Sequence, residues 1–156
     1  MRKLFLLIAS ALCIAINAHA NNNTSYPSGE INDFWVEHNA YRNGYKGMIF
    51  HIEMDVNDYQ GGQIMLGVYI MDDDGYPVQA TYSTPASFKT RDGQLCTYST
   101  TYVQYEYCHW DNVTFFLPYC YLPCFGDYQC EAQIFTSQGE YLCCSTRDYF
   151  TYGNNY

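Results

Sequence analysis

From Met48 to Val56 the chain alternates, with Met48, Phe50, Ile52, Met54 and Val56 at every second position and His51, Glu53 and Asp55 between them. Successive side chains of an extended strand point to opposite faces, so a period of two describes a strand with one face in a core and one in water. Beyond residue 20 no stretch shows the three-and-four spacing that an amphipathic helix needs. The alternation returns at Ile64, Leu66, Val68 and Ile70, with Met65, Gly67, Tyr69 and Met71 on the other face. It stops at Asp72-Asp73-Asp74-Gly75, where Asp-Gly supplies the positive φ of a tight turn. The two runs are expected to be neighbouring antiparallel strands burying Phe50, Ile52, Leu66 and Val68. Further strands are predicted over residues 31–37, 98–103, 113–117, 128–136 and 141–152. Gln138-Gly139 reads as a two-residue hairpin loop that sets Ser137 opposite Glu140 and Ile134 opposite Cys143.

Seven or eight short strands with turn signals at Asp74-Gly75, Asp92-Gly93 and Gln138-Gly139 define an all-β fold. The expected architecture is an antiparallel two-sheet β-sandwich, immunoglobulin-like or C2-like, with a closed barrel as the alternative. Eighteen tyrosines and nine phenylalanines suit strands and supply bulky core material.

The first twenty residues read as a targeting segment. Arg2 and Lys3 form a positive n-region, residues 4–16 are apolar, and Ala18-His19-Ala20 is a small-x-small cleavage site. Thirteen apolar residues rise only about 20 Å as a helix, short of the roughly 30 Å hydrocarbon core, so no membrane span is expected. The expected organisation is a signal peptide at 1–20, a flexible polar lead-in at 21–30 and a single β-sandwich domain at 31–156. The expected location is secreted or periplasmic. Without Arg2 and Lys3, five basic residues face sixteen acidic ones, so the formal net charge of −9 becomes −11. A field of that sign repels phosphate backbones, which disfavours nucleic acid as a partner.

Seven cysteines follow the signal segment: Cys96, Cys108, Cys120, Cys124, Cys130, Cys143 and Cys144. Export makes disulfides the expected state, and the odd count leaves one thiol over. No pairing follows from the spacing, though the hairpin register separates Cys130 from Cys143. Bridges from the hairpin cysteines to Cys108, Cys120 or Cys124 are expected instead. The spacings repeat no zinc-ligand set, so no metal or other cofactor is expected. A thiol enzyme or hydrolase would draw its nucleophile from Cys108, Cys120 or Cys144 and its base from His38, His51 or His109. Adjacent Cys108 and His109 point to opposite faces of a strand, and no protease signature surrounds any of these cysteines. His51 is expected to be structural, and His38 to cap the end of its strand through a backbone hydrogen bond. Asp72, Asp73 and Asp74 could offer carboxylates to calcium, but the spaced acidic pattern and terminal Glu of a helix-loop-helix calcium site are missing, which favours a solvated hairpin turn.

Trp35-Val36-Glu37-His38-Asn39, Lys46-Gly47-Met48 with His51, Asp74-Gly75-Tyr76-Pro77, Asp92-Gly93-Gln94 and Phe115-Phe116-Leu117-Pro118-Tyr119 occur in that order. Together they resemble a family of bacterial secreted or fused β-sandwich modules of uncharacterised function. The resemblance spans about residues 31–152 and implies no reaction, cofactor or catalytic residue. Cys120-Tyr121-Leu122-Pro123-Cys124 stands where the pattern has an acidic, leucine-containing stretch. That departure puts in doubt any shared ligand site at this loop.

The series Tyr98, Tyr102, Tyr105, Tyr107, Trp110, Tyr119 and Tyr121 is denser than a core requires. Tyr and Trp bring large contact area at small entropic cost and are enriched in binding surfaces. The expected function is a non-catalytic interaction module taking an extracellular protein or glycan, with Tyr102, Tyr105, Tyr107, Trp110 and Tyr121 as the ligand-binding candidates. A Cys/His enzyme and a purely structural surface protein are the competing readings.

Overall fold

A computed structural model of the protein describes residues 25–153. Eight strands follow one another: β1 (Ser28–Arg42), β2 (Tyr45–Asn57), β3 (Gln63–Asp72), β4 (Cys96–Tyr102), β5 (Tyr107–Pro118), β6 (Gly126–Thr136), β7 (Tyr141–Cys144) and β8 (Asp148–Tyr152). Single 3-10 turns sit at Ala86–Phe88 and Tyr119–Tyr121. All pairings are antiparallel and form two sheets. One has the order β1-β2-β5; in the other β4, β3 and β6 lie side by side and β7 and β8 share the far edge of β6. The protein is an all-β sandwich. The expected signal peptide at 1–20 and residues 21–24 of the expected lead-in lie outside the described residues. Ser28, Gly29 and Glu30 pair with Asn57, Val56 and Asp55, so that end of the expected flexible lead-in is strand.

The alternating residues do fill the core: Met48, Phe50, Ile52, Met54 and Val56 are at most 1% exposed, and Ile64, Leu66, Val68 and Ile70 at most 2%. The expectation that β2 and β3 are neighbours is overturned. They belong to different sheets and their apolar faces belong to one shared core. The chain crosses between sheets through Asp58 and Gly61, both with positive φ (58° and 78°). The same period-two pattern serves either arrangement, because both bury one face.

The neighbours of β2 are β5 and β1, the latter joined to it by Asn43-Gly44 with φ of 52° and 82°. Those signs belong to the tight hairpin turn whose twist matches the strands it joins. At the other end of the chain, the predicted strand over 141–152 divides in two. Ser145 sits between β7 and β8, donating its N–H to Ala132 O at 2.9 Å and accepting the Ala132 N–H on Oγ at 3.0 Å.

The loop before β7 has three residues, not two. Thr136 N–H bonds Glu140 O at 2.8 Å, and Gly139 takes φ 85°. A register shift beside Phe135 then restores Ile134 opposite Cys143. Cys130 faces Asp148 of β8, while Cys143 of β7 faces Ile134 four residues further along β6, so the two cysteines are separated as the predicted register has them.

The expected disulfides are absent: all seven cysteines are free thiols. Local geometry accounts for several of them. Cys96 and Cys130 flank β3 opposite Tyr69 and Ile70, adjacent positions whose side chains point to opposite faces. Cys108 is tucked under its own turn, its Sγ accepting the Tyr105 N–H at 3.4 Å. Cys120, Cys124 and Cys144 are exposed.

Candidate functional site

β4 and β5 end their respective sheets, and residues 103–106 join them at one corner of the sandwich. That corner is stitched to the β2–β3 crossing. Val103 N–H bonds Gly62 O at 2.9 Å, Gly61 N–H bonds Val103 O at 2.8 Å, and Asp58 N–H bonds Glu106 O at 2.7 Å. Val103 is fully buried, which anchors a short connection carrying aromatic side chains on both flanks.

An open cleft of about 300 Å³ lies there, lined by Tyr102, Gln104, Tyr105, Tyr107, His109 and Trp110 among others. Tyr102 and Tyr105 are 65% exposed and Tyr107 56%, unlike aromatic rings used as core filler. Trp110 is half-buried and packs against the core. Four of the five candidate ligand residues therefore share one surface. Tyr121 does not belong to it: its ring packs on Phe88 with centroids 4.9 Å apart, near the 3-10 turn after β5. Tyr119 is buried and Tyr98 exposed, neither lining the cleft.

Beside the cleft stands a polar cluster built on Asp55. Its Oδ1 accepts the Tyr107 hydroxyl at 2.9 Å and lies 2.7 Å from His109 Nδ1, while Oδ2 accepts from Asn32 Nδ2 at 2.9 Å. His109 Nε2 lies 3.1 Å from Asp111 Oδ1. Asn32 arrives there because β1 carries an extra residue between Ile31 and Asp33. The hydrogen bond to Asp55 raises the pKa of His109 above 6.5, with Asp111 acting in the same direction. The donated bonds, that of Asn32 first, lower the pKa of Asp55. Tyr107, which donates to that carboxylate, is raised in turn. The alternation of β2 placed Asp55 on the solvent face, but its pairing with His109 and Tyr107 depends on β5 being the next strand.

The other histidines are tied elsewhere. His51 stacks on Trp35 with ring centroids 4.7 Å apart and 7° between planes. Its nitrogens lie 3.1 Å from Asn112 Oδ1 and 3.4 Å from Glu37 Oε2. His38 is within β1 and does not cap its end; Nδ1 lies 3.2 Å from the Tyr119 hydroxyl, and burial lowers the pKa of the ring. Cys108 and His109 do point to opposite faces, one buried and one exposed. No three His, Cys, Asp or Glu side chains among the described residues are grouped to hold a metal ion. Asp72 shapes its own turn, accepting the Tyr76 N–H on Oδ1 at 2.8 Å. No helix among the described residues is long and apolar enough to cross a membrane.

Fold and site together define an antiparallel β-sandwich with an aromatic cleft at the corner where the edge strands β4 and β5 meet. No protein-family model and no curated protein matches the chain.

Proposed function

We propose that the protein is a non-catalytic interaction module, secreted or periplasmic, that binds an extracellular protein or glycan in the cleft between β4 and β5. The observation that carries this reading is the convergence of Tyr102, Tyr105 and Tyr107, all more than half exposed, with Trp110 in one concavity. Exposed aromatic rings around a concave surface lose ordered water on contact and lose little side-chain entropy, the properties of binding hot spots. The rigid tie between residues 58–62 and 103–106 holds the rings in place before any ligand arrives, which lowers the cost of binding. The signal-like segment at residues 1–20 supports export. The test is a screen of the mature chain against soluble oligosaccharides and extracellular peptides, repeated with the Tyr105→Ala, Tyr107→Ala double variant. Any ligand found should bind the variant at least about tenfold more weakly, since truncated aromatic hot spots cost roughly 2 kcal/mol or more. A ligand that binds both proteins equally would overturn the assignment of the cleft.

A further inference from the structure

The aromatic cleft continues into a second cavity. Between the two sheets, along the same open side, lies a slot of about 180 Å³ whose walls include Met54, Leu66, Val113 and Phe115. Thr101 and Trp110 line both spaces, so cleft and slot form one groove. Two features of the edge strands open it. On β4, Ser99 and Thr101 pair with Leu66 and Ile64, so they face the core, and their small side chains leave room there. On β5, a bulge sets Asp111 and Asn112 against Glu53 alone, so that Trp110 and Val113 both share a face with core residues Met54 and Ile52.

Among the described residues, the groove is flanked by two strand edges that pair with nothing on that side, since β5 bonds only to β2 and β4 only to β3. Unpaired edges recruit further strands unless blocked, and lysine is a common blocking residue. Neither β4 nor β5 contains a lysine or arginine. The two faces next to the β5 edge differ in character. The inner face is the apolar slot, and the outer face carries Glu53, Asp55 and Asp111, with His109 held between the last two. A strand added to β5 would send alternate side chains to those two faces.

We infer that the ligand of this groove is an extended peptide that adds to the β5 edge, alternating apolar residues in the slot with lysine or arginine on the acidic outer face. The inference rests on the cleft being a ligand site, as proposed above, and narrows its ligand from protein or glycan to a cationic strand. The bulge keeps the ladder short, confining regular pairing to the Tyr107–Trp110 arm, beside Asp55 and Asp111 on the outer face, while the apolar residues of the peptide reach Trp110 and Val113 in the slot. Main-chain hydrogen bonds then supply affinity, and the alternation supplies selectivity. The net charge of the chain speeds encounter with such a cation at low salt.

The experiment titrates the mature chain with a short N-acetylated, C-amidated peptide alternating valine with lysine, followed by fluorescence anisotropy and amide chemical shifts. Two control peptides are used: one with glutamate for each lysine, and one with the valines and lysines in separate blocks. The alternating lysine peptide should bind and shift the amides of β5, with both controls at least about tenfold weaker, a difference of roughly 1.4 kcal/mol. Ser99→Leu, which fills the slot from an exposed edge, should weaken binding by a similar factor. Asp55→Asn combined with Asp111→Asn should do the same from the outer face without touching the slot. Equal binding of the blocked peptide, or no effect of either variant, would overturn the inference. If soluble oligosaccharides bind through Tyr105 and Tyr107 while the peptide does not, the cationic strand is wrong and the binding cleft stands. If neither class binds, both readings fall.

Discussion

Replacing Ser145 by alanine tests how the C-terminal part of the sheet is held. Ser145 is 8% exposed and Ala132 fully buried. The serine hydroxyl accepts the Ala132 N–H at 3.0 Å and donates to Thr146 O at 2.7 Å, taking the place of a strand partner where β7 gives way to β8. Ser145→Ala removes the acceptor and leaves a buried N–H with no bond. Such an orphaned group costs about 1–3 kcal/mol, more than the roughly 1 kcal/mol net value of an ordinary hydrogen bond. For a domain of this size the loss corresponds to a fall of roughly 4–10 °C in Tm. Urea unfolding monitored by far-ultraviolet circular dichroism measures the free energy, and amide exchange of Ala132 reports whether the loss is local. Ser145→Thr keeps the hydroxyl and should recover most of the stability. A Ser145→Ala change below about 0.5 kcal/mol, the range of surface substitutions, would refute the reasoning.

Two further outcomes follow from the side-chain environments. In the reduced native protein, a thiol-reactive dye should label Cys120, Cys124 and Cys144 promptly, while Cys96 and Cys130 react only on unfolding. Burial raises the thiol pKa of both buried residues, that of Cys96 to about 11, so slow labelling of the exposed three or rapid labelling of Cys130 would contradict the arrangement. The His109 ring should titrate above 6.5 by nuclear magnetic resonance, and Asp55→Asn should bring it back toward that value. Because the folded pKa is raised, the His109 contribution to stability is full below about pH 6.5 and is lost as pH rises through the folded value. A ring that titrates at or below 6.5 would show that the Asp55 contact does not form.

Strand identity was readable wherever one face is buried, because alternation and burial are the same fact for β2 and β3. Strand partnership was not readable, since a period of two is satisfied equally by a neighbour in one sheet and by a partner across the core. The deciding signals were local and small: Asn43-Gly44 makes β1 and β2 a hairpin, while Asp58 and Gly61, with positive φ, turn the chain toward the other sheet. Asn43-Gly44 stands openly in the sequence and is enough to make β1 a neighbour of β2. The division of β7 from β8 had no such signal, because Ser145 imitates a strand residue with its side chain.

The binding candidates divide along the same line between local and long-range information. Tyr102, Tyr105, Tyr107 and Trp110 fall within nine consecutive residues around one tight connection, so their proximity follows from the chain itself. Tyr121 belongs to the same aromatic run by composition, yet it follows the far end of the twelve-residue β5, which Tyr107 begins. An extended strand of that length carries it roughly 35 Å away, to the opposite end of the sandwich. What the alternation could not show is the bulge at Asp111-Asn112, which breaks the period and sets Trp110 and Val113 on one face although three positions separate them. With a regular β5, one of these side chains would stand on the outer face and the slot would lose a wall. The residue that spoils the sequence pattern is therefore the one that shapes the groove, and departures from period two on an edge strand are where a site in this fold should be sought first.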